Sequence, residues 1–234
     1  MSGRYLIVGA SSGIGAAVAA HLAAQGHELF TASRRPAVPG TWIEADVSGD
    51  AGIDAICAAL GDAPLDGLLF LGGTWEEGAF TGGYDFLRSS RAETRNVIAV
   101  NLVAPILLAQ ALAGNLAKAG NPRIVLIGSL SGLDRSASVE VANSASKYGL
   151  RGAAQALSIA LQDLAIGVTV INPGNVATAE VEADIADGRF GPQIPLPLSD
   201  LRRTLDYVLA LSADAVPEEI NLAQKQPQMG LGTS

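Results

Sequence analysis

Tyr5-Leu6-Ile7-Val8-Gly9-Ala10-Ser11-Ser12-Gly13-Ile14-Gly15 sets an apolar run, a glycine-rich turn and the start of a helix in immediate succession. The apolar run is short and partly β-branched, as a strand buried on both faces requires. The glycines let the backbone reverse tightly and come close to a ligand. The helix that follows, predicted over 14–25, presents unpaired N–H groups and the positive end of its dipole toward that turn. A strand, a Gly-x-x-x-Gly-x-Gly turn and a helix in this order form one βα unit with a cradle for phosphate. Gly9, Ser11, Ser12, Gly13, Ile14 and Gly15 are the residues of that cradle.

The rest of the chain repeats the unit. Further strands are predicted at 28–32, 41–44, 67–71, 123–127, 168–171 and 219–222, with helices at 52–60, 91–116, 143–164 and 201–211. Alternating strands and helices give a parallel sheet covered on both sides. The expected fold is α/β: a Rossmann-type doubly wound parallel sheet in three α/β/α layers, forming a single domain over 1–234. No repeat or linker divides it. Residues 179–198, with a short acidic helical piece and a proline-rich exit, read as a lid, and 224–234 as a polar tail.

Bulk properties narrow the function. The 234 residues are 49% hydrophobic and 16% charged, a composition with a large core. A net charge of −8 argues against nucleic acid and anionic membranes as partners. Cys57 is the only cysteine, so no internal disulfide and no thiolate zinc site can form, and no metal is expected. Cys57 reads as an apolar filler on a helix, and His21 and His27 as surface residues. No run reaches the roughly 18 apolar residues of a membrane span, and the chain enters its first strand without a basic leader. A cytoplasmic protein is the expectation. Two helices, near 91–116 and 143–164, are apolar all round, which predicts a second buried face and a homodimer or homotetramer.

With further motifs in place, the chain resembles the short-chain dehydrogenase/reductase family over nearly its whole length. Gly9, Gly13 and Gly15 match its glycine motif, and Asp46-Val47 its adenine-contacting pair. Leu68-Leu69-Phe70-Leu71-Gly72-Gly73 stands where the family carries Asn-Asn-Ala-Gly; Gly73 matches, Gly72 is a small substitute, and both asparagines are missing. Asn172-Pro173-Gly174-Asn175-Val176-Ala177-Thr178 is similar to Pro-Gly-x-Val-x-Thr. This implies contacts from Val176 and Thr178 to a nicotinamide carboxamide, beside a wall of Pro173 and Gly174. The second strand exits through Ser33-Arg34-Arg35, with no acid to bind a ribose hydroxyl. The two arginines suit a 2′-phosphate instead, so the expected cofactor is NADP(H).

The resemblance also implies a catalytic set for hydride transfer to or from a small-molecule carbonyl or alcohol. Ser129 would bind the substrate oxygen, Lys147 the cofactor ribose, and Asn101 a water on the proton path. The position of the proton-transferring tyrosine falls on Asn143. An amide cannot act as a general acid. Tyr148 lies five residues on, about 140° around the helix, and Tyr84 has no placement from sequence. Three readings stay open here. One is a reductase whose proton comes from elsewhere, or whose substrate is an imine already carrying its charge. The second is a silent NADP-binding relative, or an enzyme inactivated by substitution at 143. The third is non-redox elimination or isomerisation in the same cleft. Trp75, Phe80, Phe190 and Ile194 are expected around the substrate.

Overall fold

In a computed structural model, which describes residues 2–225, seven parallel strands form one sheet in the order β3-β2-β1-β4-β5-β6-β7. The strands are β1 (Arg4–Val8), β2 (Glu28–Ser33), β3 (Thr41–Glu44), β4 (Gly67–Phe70), β5 (Arg123–Ile127), β6 (Gly167–Pro173) and β7 (Glu219–Leu222). The strands alternate with helices α1 (Gly13–Ala24), α2 (Asp50–Leu60), α6 (Val141–Ala160) and α8 (Leu198–Ala210), and with a broken helix described below. Strand order reverses between β1 and β4. In an open parallel sheet the crevice beyond the strand ends at that reversal is where ligands bind.

The strands are apolar without interruption because each face has its own helical layer. Leu6, Val8, Leu68, Phe70, Ile124 and Leu126 face one side, toward Ile56 of α2 and Leu150 and Ala154 of α6. Ile7, Leu69, Val125 and Ile127 face the other, toward Val18 and Leu22 of α1 and Leu201 and Leu205 of α8. Full burial of one such side chain stabilises the fold by about 1.5–3 kcal/mol. Phe70, 2% exposed, and Leu71, 7% exposed, fill with hydrocarbon the space after β4 where the family's asparagines would hydrogen-bond.

Four expectations need correction. The predicted helix 91–116 is broken into α3 (Arg91–Ile98), a π-helical turn (Ala99–Val103), α4 (Ala104–Ala111) and a last short turn, α5 (Ala113–Leu116). The stretch Arg91–Ala111 is also long and apolar enough, by length and composition, to cross a membrane, contrary to the reading that no segment is. Here its apolar residues Val97, Ala104, Leu108 and Ala109 are buried. The histidines are half-buried rather than superficial: His21 Nε2 lies 2.9 Å from Asp206, and His27 Nδ1 accepts the Gly3 N–H at 2.9 Å. Helix α6 begins at Val141, two residues before the predicted start. The lid carries α7 (Ala179–Ala186) and is pinned at its far end by a parallel bridge from Leu196 to Val176. Of the tail, Gln224 bonds to Gln193 and Ile194 of the lid; residues 226–234 lie outside the described residues.

Candidate active site

The glycine turn is built by close approach. Gly9 has φ +86°, and a Cβ there would sit 2.3 Å from the Gly72 Cα. A Cβ on Gly15 would fall 2.1 Å from the Gly9 carbonyl oxygen. So Gly15 does not line the crevice; it lets α1 seat against the turn. Ser12 precedes α1 in extended conformation and makes no side-chain cap, which leaves the first N–H groups of the helix available to an anion.

One cavity runs from this turn along the strand ends. Gly9, Ser11, Ser12, Gly13 and Ile14 line its middle. Ser33, Arg34, Arg35, Asp46 and Val47 line the end under β2 and β3. The Asp46 carboxyl is held below the usual carboxylate range, chiefly by the Ser48 N–H at 3.0 Å, with the Ser48 side chain and Arg34 assisting. Gly72, Gly73, Ser129, Asn143, Lys147, Pro173, Gly174, Val176 and Thr178 line the other end. The arrangement suits an elongated phosphorylated ligand: free N–H groups and two glycines, Gly9 and Gly13, at its centre, guanidinium groups at one end. Among the described residues no cluster of His, Cys, Asp or Glu could hold a metal ion.

At the chemical end, α6 presents Asn143 and Lys147 one turn apart on one face. Lys147 Nζ donates to the Ile127 carbonyl at 3.0 Å, and no salt bridge reaches it among the described residues. Burial pushes its pKa down to about 8. Ser129 Oγ accepts from the Ser131 hydroxyl at 2.9 Å and the Ser131 N–H at 3.2 Å, so its own proton is left to donate into the cavity. Among the described residues no tyrosine lines the cavity. Tyr148 donates to the Leu133 carbonyl, and the Tyr84 hydroxyl accepts the Val141 N–H at 3.3 Å.

Asn101 departs from expectation. It sits in the π-helical turn, 1% exposed, and does not line the cavity. Its amide accepts the Thr74 N–H at 2.8 Å and donates to the Thr74 carbonyl at 2.7 Å and to Ser146 Oγ at 3.2 Å. Ser146 passes the chain on to the Asn143 carbonyl at 2.7 Å. Asn101 therefore ties the exit of β4 to α6, a bracing role of the kind the missing family asparagines would have played.

Two buried carboxylates escaped the sequence reading. Glu76 Oε1 accepts the N–H groups of Ala142 (2.7 Å) and Asn143 (3.1 Å), capping α6 from the β4–α3 loop. Glu140, just before α6, accepts the Phe80 N–H at 2.7 Å in the opposite direction. Both are 2% exposed. A carboxylate next to a helix start was a visible signal for Glu140; nothing in the sequence marked Glu76. The expected aromatic residues do converge. The Trp75 and Phe80 ring centroids are 6.0 Å apart, Phe80 and Phe190 6.4 Å, both edge to face, and all three line the cavity. Ile194 is 62% exposed and does not line it.

Residues 4–188 match the family model of the short chain dehydrogenases. The chain belongs to that family. It is an oxidoreductase by that membership. The chain is 28% identical over 187 residues to a 3-oxoacyl-[acyl-carrier-protein] reductase, MabA, of Mycobacterium avium, covering 78% of this chain and 71% of the relative. A 4-hydroxyisoleucine dehydrogenase solved with NADH superimposes with a TM-score of 0.79 at 24% identity, over 95% of this chain and 96% of that one. ElxO, as a tyrosine-to-phenylalanine variant with NADPH bound, gives a TM-score of 0.79 at 17% identity, over 95% of this chain and 97% of that one. In this cavity the amide of Asn143 stands one turn before Lys147.

Proposed function

We propose that this protein is an NADP(H)-dependent reductase or dehydrogenase acting on a small carbonyl, alcohol or imine, with Asn143 at the position of the usual tyrosine. The observation that carries the reading is the single cavity joining Arg34 and the uncapped start of α1 to Ser129, Asn143 and Lys147. The solved neighbours support a nicotinamide cofactor, being bound to NADH in one case and NADPH in another. Arg34 and Arg35, with no acid at the end of β2, favour the phosphorylated form.

The dinucleotide, when bound, supplies or takes the hydride. The chain's own residues do the rest. The N–H groups at the start of α1 hold the pyrophosphate, and Arg34 holds the 2′-phosphate. Ser129 donates a hydrogen bond to the substrate oxygen, where negative charge develops in reduction. Asn143 orients that oxygen or a water without transferring a proton. For a carbonyl substrate, Lys147 would be the proton source in place of a phenol. Its pKa of about 8 lets it carry a proton at neutral pH and still release it readily.

Fluorescence titration tests cofactor choice. NADPH is expected to bind more tightly than NADH, and Arg34→Ala to erase about 10- to 100-fold of that preference. Tighter NADH binding by the unaltered chain would refute the arginine argument. The absence of any tyrosine from the cavity also favours a second reading, an NADP-binding protein without turnover. NADPH oxidation across a panel of ketones, aldehydes and cyclic imines separates the two.

A further inference from the structure

We infer that the preferred substrate is a flat organic cation, a ring-containing iminium, reduced at carbon without any proton transfer. This rests on the reductase reading above. Two observations converge on it. First, the substrate end of the cavity offers an amide where an acid is customary, and no tyrosine reaches it. Second, that end is walled by three aromatic rings in edge-to-face contact, Trp75, Phe80 and Phe190. The wall is set in place beforehand. Phe80 holds φ +62°, a conformation side chains rarely adopt, and its N–H is tied to Glu140. A non-glycine residue kept in that region needs surroundings that hold it there. Of the acids that line the cavity, Asp184 is neutralised by Arg189 at 2.8 Å, and the Glu180 carboxylate lies at the glycine turn, 3.6 Å from where a Cβ on Gly13 would stand.

Aromatic rings are the environment that stabilises a delocalised cation. The chemistry balances without an acid. A C–H bond forms at the iminium carbon, the C=N π pair moves to nitrogen, and the dihydronicotinamide is oxidised to its pyridinium. The products are a neutral amine and the oxidised cofactor. A ketone in the same place would end as an alkoxide in need of a proton, a step for which loss of a positioned acid typically costs ~10²–10⁴-fold.

The test compares two isosteres, N-methyl-3,4-dihydroisoquinolinium and 1-tetralone. With NADPH, the cation is expected to have a kcat/KM at least about 100-fold above the ketone. Calorimetry in the presence of NADP⁺ is expected to show the cation binding about ten-fold or more tighter than the ketone. Phe80→Leu and Trp75→Leu are each expected to raise KM for the cation several-fold, with NADPH affinity, read by fluorescence, unmoved. Equal or greater activity on the ketone overturns the inference, as does cation binding that neither variant weakens. NADPH binding with an inert cation overturns the substrate class alone. No NADPH binding at all overturns the reductase reading and the substrate class with it.

Discussion

Asn143 and Lys147 stand one turn apart on the cavity side of α6. Asn143 is 3% exposed, at the start of α6 with its N–H on Glu76, so a phenol placed there would emerge into the cavity beside Ser129. Asn143→Tyr is therefore expected to raise NADPH-dependent ketone reduction by about 10²–10⁴-fold. A variant that binds NADPH and gains nothing on any ketone would show that the cavity does not run carbonyl chemistry at this position. Lys147 makes a second prediction, with a sign that can be worked out. Its pKa is about 8 in the fold against 10.5 for an ordinary lysine, because burial disfavours the charged form. Between those values the unfolded chain binds the extra proton, so stability rises with pH through this window; below about 8 both forms are protonated and the contribution is flat. The full swing is about 3 kcal/mol. Urea unfolding at neutral pH and near about pH 10, compared with Lys147→Met, isolates it: the difference between the two proteins should shrink or reverse in favour of the unaltered chain at high pH. Carbonyl reduction that depends on the lysine proton should fall over the same rise.

The loop between β4 and α3 and the start of α6 hold each other by carboxylates pointing in opposite directions, Glu76 to the helix and Glu140 to the loop. Glu140→Gln keeps an acceptor for the Phe80 N–H, whereas Glu140→Ala leaves that buried donor unpaired, at a cost of about 1–3 kcal/mol. The alanine variant is expected to speed hydrogen exchange at the Phe80 amide and raise substrate KM, and the glutamine variant to stay near the unaltered chain. Equal exchange rates in all three would remove Glu140 from any role in fixing the wall. This clasp also marks where reading from sequence stopped. The strand at 123–127 was legible to the residue because its apolar run is dictated by burial on both faces, a local pattern. The glycine turn was legible because only glycine tolerates its contacts with Gly72 and α1. The π-helical turn was not, since it lies inside an unbroken apolar run; what accompanies it is Asn101 reaching across to Thr74, a contact between residues far apart in sequence. Glu76 was invisible for the same reason. A glutamate in a loop reads as solvated until the helix it caps is placed over it.

At the scale of the molecule, the sheet leaves α6 with one face committed and one unspent. Leu150 and Ala154 press on the sheet, while Ala145, Gly152, Ala156 and Ile159 point outward, Ile159 with 76% of its surface exposed. Near it in chain order of packing, the π-turn exposes Val103 at 42%. Small residues along an exposed helix face allow a second helix to approach closely, and self-complementary contact of one such face with its own copy is the commonest route to a symmetric dimer. The net charge of −8 does not oppose this, because the α6 face between Gly152 and Ala160 carries no charged side chain. We therefore expect a dimer or tetramer assembled across α4 and α6, measured by light scattering at micromolar concentration. A charge in the middle of the contact should break it: Ile159→Glu is expected to shift the mass toward the monomer and to lower the midpoint of thermal unfolding. Because α6 also carries Asn143 and Lys147, the monomer should lose turnover more than NADPH affinity, which depends mainly on α1 and β2. Monomer mass for the unaltered chain, with Ile159→Glu changing neither mass nor melting, would mean that the outward face of α6 is ordinary surface and that the site is rigid without a partner.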